Sequence, residues 1–130
     1  MSVFDRIKRD IRSGMVLYTP VERSRFTVDS FDTEKVVFRV GKTEARIAVP
    51  KDCWDGIPNY LKGKDWVRIG ARHEKAQRGT FEEYLDTHQK PHQHSHPSWA
   101  SYVVPILEHL KIVEVDPHRP SKVRLNLNQP

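Results

Sequence analysis

A chain of 130 residues that is 37% hydrophobic and 30% charged can bury one packed core without metal or disulfide staples, and is too apolar for a disordered segment. Its 22 Lys and Arg against 17 Asp and Glu give a net charge of +5, an excess that favours polyanionic partners. A single cysteine excludes an intramolecular disulfide, and no apolar run reaches the ~20 residues of a membrane-spanning helix.

Ser2 to Arg12 carries Val3, Phe4, Ile7 and Ile11 at helical spacing, which predicts a short amphipathic helix packed on the domain. Ser2 is placed to cap it, Asp5 completes a capping-box pattern, and Gly14 suits its stop. The same stretch lacks the apolar core of a signal peptide and holds two aspartates, so the expected location is cytoplasmic. From Met15 the period changes to two. Met15 to Tyr18 is a short apolar run ended by Thr19-Pro20, and Arg25 to Val28 alternates before a turn-like Asp29 to Thr33. Val36, Phe38 and Val40 share one face of a further strand. After Gly41-Lys42, Ala45, Ile47 and Val49 alternate until Pro50. Turns this short join antiparallel neighbours, which makes a β-meander.

Lys51 to Gly63 predicts a short helix with Asp52 as cap and Trp54, Ile57, Tyr60 and Leu61 as its apolar stripe. Asp65 to Gly70 reads as a strand with Trp66 and Arg68 on one face. Thr80 then caps a helix with the face Phe81, Tyr84 and Leu85, and Glu82 and Glu83 in its first turn. His88 to Pro97 is a loop. A helix from Ser98 aligns Trp99, Tyr102, Val103, Ile106 and Leu110, and Pro105 inside it implies a kink or a restart. Ile112 to Val115 and Val123 to Leu125 alternate about a loop with Pro117 and Pro120, a closing hairpin. The chain therefore reads as one α+β domain. Residues 1–79 hold the N-terminal helix and antiparallel β-meander, and residues 80–130 a helix-loop-helix-hairpin segment.

The order of elements from Thr80, with the run Tyr102-Val103-Val104-Pro105-Ile106-Leu107-Glu108-His109-Leu110-Lys111-Ile112-Val113-Glu114, resembles winged-helix DNA-binding domains. The resemblance covers the last third to two fifths of the chain. Of the three helices that such domains usually carry before the wing, one is missing here or is supplied by Lys51 to Leu61. It implies a non-catalytic DNA-binding protein, a small regulator or a recognition module, with DNA preferred to RNA. Ser98 and Ser101 would stand at the start of the groove-facing helix, where hydroxyls and free amides bind phosphate. Arg119, Lys122 and Arg124 would form a basic wing, and Arg68, Arg72, Lys75 and Arg78 a second strip of phosphate contacts. Trp99 and Tyr102, at helical spacing beside Val103 and Ile106, read as core rather than as base-stacking residues.

Two other classes compete. The same basic strips would dock an acidic protein partner, with a sheet edge or the first helix supplying apolar contact. A small metal-dependent nuclease would need gathered carboxylates, for which Asp32-Thr33-Glu34-Lys35 and Glu114-Val115-Asp116 are the nearest fragments. His88, His92, His94 and His96, near Asp86, have the composition of a metal-binding tract. Lys90-Pro91 and His96-Pro97 mark it as loop, where adventitious binding is the commoner outcome. Cys53, whose conceivable partner is His73, sits beside Trp54 on an apolar stripe and reads as a buried structural thiol. With no phosphate-cradling glycine loop and no serine nucleophile elbow, no catalytic residue and no cofactor is assigned.

Overall fold

A computed structural model of the protein describes residues 1–70, 77–88 and 98–126. Helix α1 (Val3–Asp10) begins as its sequence dictates: the Ser2 hydroxyl accepts from the Asp5 amide, Asp5 lies in the first turn, and Lys8 and Arg9 lie in the last. Val3, Phe4 and Ile7 are buried beneath it. Gly14, at φ +89°, then turns the chain in a region that side chains with a Cβ avoid.

Four strands follow as a meander, β1 (Val16–Tyr18), β2 (Arg25–Phe31), β3 (Lys35–Val40) and β4 (Ala45–Pro50), each antiparallel to the next. Their inward row, with Leu17 opposite Phe26, and Phe38 between Val28 and Ile47, is buried. Strand β2 runs further than its alternation predicts. Asp29, Ser30 and Phe31 extend the strand instead of turning it, because a bulge between Val28 and Ser30 inserts one extra residue. The turn comes at Asp32, whose carboxylate accepts from the amides of Glu34 (2.7 Å) and Lys35 (3.1 Å).

Helix α2 (Lys51–Leu61) starts directly from β4. Asp52 was the expected cap, but Pro50 takes that position without a side-chain bond and Asp52 stands in the first turn. Strand β5 (Val67–Arg68), helices α3 (Phe81–Asp86) and α4 (Ala100–His109), and strands β6 (Val113–Asp116) and β7 (Lys122–Leu125) complete the chain. Thr80 caps α3 as expected, its hydroxyl accepting from the Glu83 amide. The second sheet has the order β5-β7-β6, so β7 lies between its hairpin partner and a strand from more than fifty residues earlier.

The helices form a layer that serves both sheets. Trp54 of α2 meets Phe38 edge-on, and Tyr102 of α4 meets Phe26 at 5.1 Å. On its other side α4 packs on β6, and α2 on β7. Six of the ten residues of α4 are buried, and Pro105 is accommodated within one continuous helix. Each large apolar side chain so enclosed contributes roughly 1.5–3 kcal/mol. No helix is long and apolar enough to cross a membrane among the described residues.

Candidate functional site

Where β5 ends, backbone bonds draw distant segments together. The Ile69 amide donates to Ser121 (2.9 Å) just before β7, and the Glu82 amide donates to Ile69 (3.1 Å). Arg68 lies directly opposite Lys122 across the β5–β7 pair. Across from them the β1–β2 loop is held by its own bonds, with the Thr19 hydroxyl accepting from the Ser24 amide at 2.9 Å. Between these segments lies a cleft of about 610 Å³. The β1–β2 loop supplies Thr19, Pro20, Val21, Glu22 and Ser24; β5 and its continuation supply Arg68, Ile69 and Gly70. The approach to α4 contributes Ser98, Ser101 and Tyr102, the β6–β7 loop Arg119, Pro120 and Ser121, and Gln77 also lines the wall.

Four residues singled out from sequence, Arg68, Ser98, Ser101 and Arg119, therefore meet at one place. Arg68 donates to the Gln77 side chain at 3.0 Å, and Lys122 to the Pro120 carbonyl at 3.1 Å. Arg68, Arg119 and Lys122 make no ion pair among the described residues. Two cations opposite one another across a strand pair weaken a sheet unless an anion offsets them. Asp116, opposite Lys122 on the β6 side, offsets part of that charge without coming within ion-pair distance, and Arg68 keeps its own. Tyr102 presents its phenol to the cleft. Burial first, and Glu22 second, raise its pKa, so it remains protonated and able to donate. Glu22 is the one carboxylate among the described lining residues.

The remaining sequence-selected residues fall differently. Ser98 is buried and donates to Glu82, whose same oxygen accepts from the Ala100 amide at 3.2 Å. The start of α4 thus already has a carboxyl acceptor of the protein's own, which takes up the Ala100 amide expected to be free there. Nor is α4 exposed for a groove, since its sides are taken by the two sheets. Arg124 is held by Glu114 (3.1 Å) and Asp65 (3.4 Å) and lies 4.2 Å over Trp66, so the expected wing is one cation poorer. Arg78 is exposed. Arg72, Lys75, His73, His92, His94 and His96 lie outside the described residues.

The competing chemistries find turns where they needed a site. Asp32 spends its carboxylate on its own turn, and Asp116 accepts from His118 in the β6–β7 loop at 3.0 Å. His88 packs edge-on against Tyr84 at 5.1 Å. No group of three or more metal-ligating side chains occurs among the described residues. Sequence reasoning missed the β1–β2 loop as a wall of the site and Glu82 as the anchor of α4. The turn residues Thr19-Pro20 marked a loop, yet nothing local says what it faces.

Residues 8–127 match the model of DUF6855, a family of unknown function. No curated protein and no solved structure matches the chain.

Proposed function

The chain belongs to the DUF6855 family, and we propose that it binds nucleic acid without catalysis, holding the phosphate backbone at the cleft between the β1–β2 loop and the second sheet. The observation that carries this reading is the convergence of Arg68, Arg119 and Lys122, free of ion pairs among the described residues, beside the Ser101 hydroxyl. Arginine and lysine so placed neutralise phosphates and release counterions. The run α2-β5-α3-α4-β6-β7, with α2 as the helix before the first strand, supports the winged-helix resemblance. Burial of α4 moves the proposed contact from base edges to the backbone, so DNA is bound with little sequence readout.

The test is fluorescence anisotropy with labelled single-stranded DNA, duplex DNA and single-stranded RNA over a range of salt. Affinity is expected to fall linearly in log–log form. In the variant Arg68→Ala/Arg119→Ala/Lys122→Ala the slope should lessen by about 2, from roughly 0.7 per lost contact on a single strand. Negligible binding at low salt overturns the proposal and leaves an acidic protein as the partner class. Cleavage of DNA on adding Mg²⁺ overturns its non-catalytic part.

A further inference from the structure

The wet face of the four-stranded sheet carries a second group of cations that the cleft does not use. Register places Val16, Thr27, Arg39 and Arg46 in one row across all four strands, with Tyr18 opposite Arg25 in the next. Arg46 is 67% exposed and Arg39 38%, and both share the single carboxylate of Asp29, at 3.7 Å and 2.5 Å. Arg25 makes no ion pair among the described residues. Tyr18 is 46% exposed even with the Arg23 guanidinium 5.5 Å over its ring.

Two guanidiniums sharing one carboxylate, Arg25 with no ion pair among the described residues, and an exposed aromatic ring beside Arg23 fit a chain of phosphates whose bases are free to stack. A duplex offers the phosphates but keeps its base faces covered; a protein acid offers charge without rings in series. We infer that the outer face of this sheet is a binding surface for single-stranded nucleic acid, with Tyr18 stacking on a base and Arg25 and Arg46 holding phosphates. The inference rests on the nucleic-acid reading above and names its partner more narrowly. Arg39 lies closer to Asp29 than Arg46 does, and Arg46 is the more exposed of the two. The β1–β2 loop, which begins after Tyr18 and ends before Arg25, also walls the cleft, so a strand crossing this face reaches the cleft along that loop.

Anisotropy with labelled oligo(dT) and with a duplex of equal length tests it, after circular dichroism confirms that each variant is folded. Tyr18→Ala is expected to weaken oligo(dT) binding by about 5- to 160-fold, the range of one lost base–aromatic stack, and to leave duplex binding unchanged. Tyr18→Phe is expected to bind like the unaltered protein. Arg25→Ala/Arg46→Ala should reduce the single-strand salt slope by about 1.4. If these variants bind oligo(dT) normally while the cleft variant loses it, this inference fails and the nucleic-acid reading stands. If the unaltered protein binds no nucleic acid, both fail together.

Discussion

Cys53 illustrates how much one enclosed side chain constrains behaviour. It has no solvent exposure, and burial first, with Glu82 adding to it, pushes its thiol up to about 12. Only the thiolate attacks alkylating reagents, so the folded protein at pH 8 is expected to resist iodoacetamide and to be labelled once urea unfolds it. Labelling of the folded state at a free-thiol rate would show that the site opens. The sign of the pH dependence follows from the same raised value. Folding favours the neutral thiol, so its stabilising effect is complete below the ordinary value near 9 and drains as pH climbs toward 12. That loss runs at about 1.4 kcal/mol per pH unit. The Tyr84 phenol, raised chiefly by burial, steepens the same alkaline limb. Residues of this kind were legible in advance, because Cys53 lies on the stripe of Trp54 and Ile57 and a stripe declares what is buried. Glu82 was not. Its partners are 16 and 18 residues away, and a glutamate in a first turn looks the same whether it faces water or a second helix.

That carboxylate is what joins two elements. Helix α4 has no side-chain cap of its own at Trp99, and Glu82 on α3 supplies the acceptor for Ser98 and Ala100. Replacing it by alanine orphans both groups in the interior, at about 1–3 kcal/mol for each. Glu82→Ala is therefore expected to lower the urea midpoint clearly, and Glu82→Gln, which keeps an acceptor, to lower it less. Equal midpoints for Glu82→Ala and the unaltered protein would mean that α4 is anchored elsewhere. Element types followed from their periods, 3.6 for α1 and α4 and 2 for the meander. Boundaries followed less well. Phe26, Val28 and Phe31 break the alternation by one position, and a bulge produces the same local pattern as a strand ending in a turn. A two-residue strand such as β5 has no period at all, and its place beside β7 is decided by pairing across fifty residues.

At the scale of the molecule, the helical layer couples the sheets. The same core includes Phe38 and Val49 of the meander, Trp54 of α2, Ile106 of α4, and Val113 and Val123 of the second sheet. Unfolding is accordingly expected to be a single transition, with tryptophan fluorescence and far-ultraviolet dichroism giving coincident urea curves. Separate transitions would mean that the N-terminal meander and the C-terminal segment are independent units. The gathering of cations at the cleft is also a property of this scale. Arg68 and Arg119 are fifty-one positions apart in sequence, and charge counts give no hint that β7 would bring them together or that Asp65 and Glu114 would occupy Arg124. The bulge in β2 has its own sequel. Excise Asp29, and Val28 would be followed by Ser30 in regular pairing, still opposite Phe38 and Val37. The ladder can do without that residue; the guanidiniums of Arg39 and Arg46 cannot, because its removal would leave them side by side as bare like charges. The strand thus holds a supernumerary position whose tenant is a counterion.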